Sequence, residues 1–130
     1  MITAATMCLA LNMFYEARNQ PIEGQMMVAQ VTLNRVVSNR YPNTVCEVVW
    51  QEKQFSWTHD GLSDDPAKLT SEIDQRVWKE VQETASYIVD NPDILIGSIA
   101  THYHAVSVEP WWASSLTYEG QVGDHYFYSE

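Results

Sequence analysis

After Lys79 the sequence contains no lysine or arginine, while eight carboxylates lie between Glu80 and the C-terminus. Over all 130 residues, 7 basic side chains face 17 acidic ones, a net charge of −10. The imbalance is graded: residues 1–40 carry three Arg and two Glu, and residues 41–79 carry four basic and seven acidic side chains. Nucleic acid is bound through basic patches that release counterions, so no nucleic-acid partner is expected. Anionic membrane surfaces are disfavoured for the same reason. No apolar run reaches the roughly 18–20 residues that a membrane span needs.

Cysteine is nearly absent, with only Cys8 and Cys46. They read equally well as two small buried hydrophobes or as a bridge in a chain that works outside the cytosol. By the loop-entropy argument such a bridge would add roughly 4 kcal/mol. The first residues, Met1–Leu11, lack the basic start and cleavage pattern of a signal peptide. The expectation is either an export segment removed from this chain or another route to its place of action. A chain without such a segment leans toward a phage source. The length predicts one domain over residues 1–130, acting as a monomer and large enough for one core.

Aromatic residues are plentiful: five Trp, seven Tyr and three Phe. Many of them fall in polar, turn-rich stretches beside His, Gln, Ser and Gly, the setting of a cleft lining. A carbohydrate or another flat polar polymer is the substrate class this composition favours.

The spacing predicts a helix from Ala4 to Arg18, apolar nearly all round and therefore buried and central. Its polar interior residues, Asn12 and Glu16, are four apart and share a face. Pro21 opens a second helix over Ile22–Asn39, where Gln30 and Asn34 form another i, i+4 polar pair that can anchor helices. Thr44 can cap a short helix through Gln51, and residues 55–68 read as a loop. Ser71 caps a third long helix, with Ile73, Val77, Val81, Ala85 and Ile88 on one stripe and Asn91-Pro92 at its end. From Ile99 the period changes to two, and Gly120 and Gly123 mark a small antiparallel hairpin. The fold class is α+β, with three main helices and a small C-terminal sheet.

Glu16 is the first candidate for chemistry. A carboxylate near the end of a buried helix, beside Phe14 and Tyr15, is desolvated, which raises its pKa toward neutrality. A general acid for a glycosidic oxygen needs that property. The plainer alternatives are an ion pair with Arg18 or Arg35, or simple exposure at the helix end. Gln54-Phe55-Ser56-Trp57 mixes hydrogen-bonding groups with aromatic faces, as sugar subsites do. Thr101-His102-Tyr103-His104 puts two imidazoles on one strand face, and His125 sits among Tyr126, Phe127 and Tyr128. Those three histidines also fit a zinc site, which would make a metal-dependent amidase. Cys8 and Cys46 have nothing nearby to activate a thiol nucleophile.

Read in order, the motifs form a series. Cys8-Leu-Ala-Leu-Asn-Met-Phe-Tyr-Glu16-Ala-Arg18 is followed by Glu23-Gly24-Gln25 and by Val28-Ala-Gln-Val-Thr-Leu-Asn-Arg35-Val. Then come Pro42-x-Thr-Val-Cys46-x-Val-Val-Trp-Gln51, Gln54-Phe-Ser-Trp57, Ala100-Thr-His-Tyr-His-Ala105 and Gly123-x-His-x-Phe-Tyr128. This series resembles the cell-wall hydrolases of the spore-cortex-lytic enzyme type (SleB/CwlJ-like) from Cys8 to Tyr128. The resemblance implies a lysozyme-like fold, related to resuscitation-promoting factors, and a peptidoglycan hydrolase, usually a lytic transglycosylase. It implies Glu16, in the Tyr-Glu-Ala-Arg motif, as the catalytic residue, with no cofactor and no metal. The expected partner is the peptidoglycan glycan strand of the cell wall, in the periplasm or outside the cell. Tyr15, Gln54, Ser56, Trp57, Thr101, His102, Tyr103, His104, Trp112, His125 and Phe127 are expected to line its subsites. Asn19-Gln20-Pro21 departs from relatives, which commonly have Gly then Glu. No wall-binding module is evident. A hydrolytic muramidase with a second carboxylate is the alternative activity, with Asp60, Glu23 and Asp124 as the available groups. A glycan-binding module without turnover is the remaining one.

Overall fold

A computed structural model describes residues 3–51, 65–94 and 97–130. Among these residues four α-helices precede three strands: α1 (Ala4–Ala17), α2 (Ile22–Val37), α3 (Val45–Val49), α4 (Glu72–Asp90), β1 (His102–Ala105), β2 (Thr117–Val122) and β3 (His125–Ser129). Short 3₁₀ turns lie at Pro66–Lys68, Pro92–Ile94 and Ala113–Ser115. The α+β expectation holds. No described helix is long and apolar enough to cross a membrane.

α1 is the central helix its composition predicts. Thr3 caps it, accepting from the Thr6 N–H at 3.2 Å. The other three helices pack around it. Leu9, Ala10, Met13 and Phe14 meet Ala29 of α2 and Val81, Ala85 and Ile88 of α4 in the main core. A disulfide between Cys8 and Cys46 ties α1 to α3, which decides between the two readings of those residues.

Ser71 caps α4 through the Asp74 N–H at 3.3 Å, as the sequence predicts. The apolar stripe, however, starts later than expected, because Ile73 is 63% exposed. The pair Arg18–Asp74 at 3.6 Å marks where α1 stops beside the first turn of α4. Ile73 lies level with that end, beyond the packed interface.

The sheet is antiparallel in the order β1-β3-β2. Asn34 anchors it to α2: its Nδ2 donates to Ser98 O at 3.1 Å and to Ala100 O at 2.7 Å, while Gln30 Nε2 donates to Asn34 Oδ1 at 2.9 Å. The polar pair, expected to anchor helices, instead anchors α2 to the segment leading into the sheet. Ile99 does not enter the strand; it is exposed, and regular pairing begins at His102.

Directly opposed residues of an antiparallel pair share a face. The register Tyr103↔Phe127 and Ala105↔His125 therefore defines an inner face. Tyr103 and Phe127 on that face pack with Val31 and Ala100, and Tyr103 also reaches the cluster of Cys8 and Val49. The register His102↔Tyr128, His104↔Tyr126 and Tyr118↔Tyr128 defines the outer face.

Candidate active site

Glu16 occupies the last turn of α1, one residue before the helix ends. It is half-buried. Burial pushes its pKa from 4.5 up to about 7, against the opposing pull of the Tyr103 hydroxyl and the Arg35 charge. All three act on the ionised form, and desolvation is the largest. Near neutral pH the carboxyl is thus poised to give a proton and to take one back.

Tyr103 approaches from the inner face of β1, with its hydroxyl against Glu16 and Asn12. Asn12 is buried one helical turn before Glu16, and its Nδ2 donates to Thr32 Oγ1 at 3.4 Å. Arg35 is 3% exposed. Its Nε donates to Thr101 O at 2.7 Å, and its guanidinium lies 4.9 Å over the Tyr41 ring. A buried cation held by a carbonyl and an aromatic face is well placed to steady charge that develops on Glu16.

The outer face of the sheet carries a second aromatic group. Trp112 covers it, with ring centroids 5.2 Å from His102 and 5.7 Å from both His104 and Tyr128. His104 Nδ1 faces Ala105 O at 2.7 Å and so carries the proton. In the neutral ring Nε2 then accepts from the Tyr128 hydroxyl at 2.8 Å. His102 Nδ1 lies 3.0 Å from Thr101 Oγ1, and burial followed by the Arg35 charge lowers the pKa of His102.

Residues 19–128 match the family model described as Cell Wall Hydrolase. The chain belongs to this cell wall hydrolase family. The matched region begins three residues after Glu16, so the case for that residue rests on its own geometry. The structure is similar to the catalytic domain of the germination-specific lytic transglycosylase SleB from Bacillus anthracis, with TM-score 0.66 and 25% identity over 98% of this chain and 97% of that one. It is also similar to the catalytic domain of Bacillus cereus SleB, with TM-score 0.61 and 25% identity over 99% of this chain and 93% of that one. In sequence, 53 residues, 41% of this chain, are 42% identical to the spore cortex-lytic enzymes of Bacillus cereus and Bacillus subtilis. That match spans 20% and 17% of those relatives' own lengths.

Within the cell wall hydrolase the expected subsite residues divide. Gln54, Ser56 and Trp57 lie outside the described residues, as does Asp60. Tyr15 is half-buried, edge-on to Phe14 at 5.1 Å. Tyr103 and His125 share the inner face, with ring centroids 5.4 Å apart. His125 is buried, and its Nδ1 has no hydrogen-bonding partner among the described residues. Thr101 is buried and holds Arg35 through its carbonyl.

The remaining expected residues fall on the two faces of the sheet. Phe127 is 1% exposed and packs with Val31 and Ala100, because it alternates inward on β3. His102, His104 and Trp112 stand on the outer face, where His102 still feels the Arg35 charge and packs edge-on against Tyr41. The same alternation defeats the zinc reading, since His125 points inward while His102 and His104 point outward. Among the described residues no group of three His, Cys, Asp or Glu side chains could hold a metal.

Two residues join the site without being expected there: Asn12 and Arg35. Asn12 has a legible signal, one turn before Glu16 in an apolar helix. The signal for Arg35 is weaker, an arginine among apolar neighbours.

Proposed function

We propose that this cell wall hydrolase cuts the β-1,4 bond between N-acetylmuramic acid and N-acetylglucosamine as a lytic transglycosylase. Glu16 serves as both acid and base. The observation that carries this reading is the Glu16 carboxyl, half-buried and raised to about 7 beside Tyr103, with Arg35 as the charge that bears on it. Likeness to the Bacillus anthracis domain, which belongs to a lytic transglycosylase, supports the same reaction class.

In the forward step the protonated Glu16 gives its proton to the bridging oxygen as the bond from C1 to that oxygen breaks. The muramoyl 6-hydroxyl then closes onto C1, and its proton returns to Glu16. The product is a 1,6-anhydro sugar, and no water is consumed. Tyr103 and Arg35 hold the carboxyl between its two states. His125 and Tyr15, with Gln54, Ser56 and Trp57, are the groups we assign to sugar contacts. The substrate is the glycan strand of the wall, the working form is a monomer, and the Cys8–Cys46 bridge suits an oxidising compartment.

A hydrolytic lysozyme would need a second carboxylate about 5–9.5 Å from the first. Of the described options, Glu23 is exposed in the first turn of α2, and Asp124 is engaged by Gln20. Mass analysis of digested peptidoglycan tests the choice. Anhydro ends, lighter than hydrolysed ends by one water, are expected; reducing ends alone would assign the muramidase reaction instead.

A further inference from the structure

Gln20, in the loop after the catalytic helix, and Asp124, in the turn between β2 and β3, are 104 residues apart in sequence. The Gln20 amide joins the two segments with both of its ends. Its Nε2 donates to Asp124 Oδ2 at 3.2 Å, and its Oε1 accepts from the Asp124 backbone N–H at 2.8 Å. The turn is shaped for this contact. Gly123 has φ +57°, and a Cβ on it would run into Gln20 Oε1.

The backbone of Gln20 is held from the other side. Its N–H donates to Ala17 O at 3.0 Å, and Gln25 Nε2 donates to Ala17 O and Gln20 O, each at 3.4 Å. Contacts then run in a closed circuit around the site. Glu16 meets Tyr103, and the Tyr103 ring meets His125 at 5.4 Å. His125 follows Asp124, which is bound to Gln20, and Gln20 returns to the end of α1 at Ala17.

We propose that Gln20 is a positioning residue, whose amide latches the β2–β3 turn to the end of α1 and so fixes Glu16 relative to the Tyr103–His125 pair. The inference rests on the reading of Glu16 as the acid and base. Only an amide performs both halves of the latch, accepting the backbone N–H and donating to the carboxylate. A glutamate at this position would still accept the N–H but would set its charge against Asp124.

The test compares Gln20→Glu, Asp124→Asn and the double variant on soluble glycan strands at pH 7. From the worth of a solvent-facing hydrogen bond, Gln20→Glu is expected to lower kcat about fivefold with KM changed by less than about twofold. Asp124→Asn alone keeps the latch, and in the double variant it restores donation to the new carboxylate, so kcat recovers. An unchanged kcat in Gln20→Glu, or a loss that Asp124→Asn does not rescue, overturns the proposal. Hydrogen exchange of the Asp124 amide reads the latch without turnover: protection is expected to fall in Gln20→Glu and return in the double variant. If the wild type releases no anhydro products while this exchange pattern holds, the Glu16 reading fails and the latch stands. Unchanged exchange removes the latch whatever the activity.

Discussion

The Tyr103 hydroxyl lies against the Glu16 carboxyl, joining the inner face of the sheet to the last turn of α1. Its hydrogen bond favours the ionised carboxylate and so opposes the effect of burial. Tyr103→Phe keeps the ring and removes that opposition. The Glu16 pKa is then expected to rise further, moving the alkaline limb of the pH–rate profile to higher pH while the maximal rate falls. An alkaline limb that stays in place would show that the hydroxyl does not act on Glu16.

Stability carries the same signature. The folded chain holds the Glu16 proton to about 7, whereas the ordinary value is 4.5. Between these values the native state binds more protons than the unfolded one, so stability falls as pH rises. The contribution is fully present below about 4.5 and is lost above about 7. Glu16→Gln cannot ionise. Its Tm is expected to match the wild type at pH 4 and to exceed it at pH 8. Equal melting at both pH values would contradict the desolvated carboxyl.

The helices are legible in the sequence because their signals are local. Ser71 caps α4, and α1 is apolar nearly all round. The desolvation of Glu16 follows from its neighbours Phe14 and Tyr15. Ile73 departs from expectation because periodicity continues past the point where a partner helix ends. The places of Phe127 and Trp112 are hidden for a related reason. Composition marks an aromatic cluster, but only strand register tells which rings face the helices and which face outward. The Gln20–Asp124 latch joins segments 104 residues apart, and no local pattern announces such a contact.

The disulfide gives a third prediction. Cys8 and Cys46 close a loop with a sequence separation of 38. Replacing both by alanine should reduce unfolding free energy by roughly 4 kcal/mol on the loop-entropy argument. The urea midpoint of the double variant, set beside that of the wild type with and without reductant, measures this. Superimposed curves would show that the bridge contributes no stability.

Charge gives a fourth. The chain carries a net −10, and peptidoglycan stem peptides carry carboxylates of their own. Their mutual repulsion is screened over about 8 Å at physiological ionic strength and about 3 Å at 1 M. Lysis of sacculi is therefore expected to accelerate from low to moderate salt. A monotonic fall with salt would mean that attraction between opposite charges dominates encounter.

The most direct test of the central claim is lysis of purified sacculi by Glu16→Gln, with circular dichroism confirming the fold. The substitution preserves shape and hydrogen bonding but removes the acid. The rate of turbidity loss is expected to drop by about 10²–10⁴-fold, the usual worth of a general acid–base group. Lysis near the wild-type rate would contradict the assignment of Glu16.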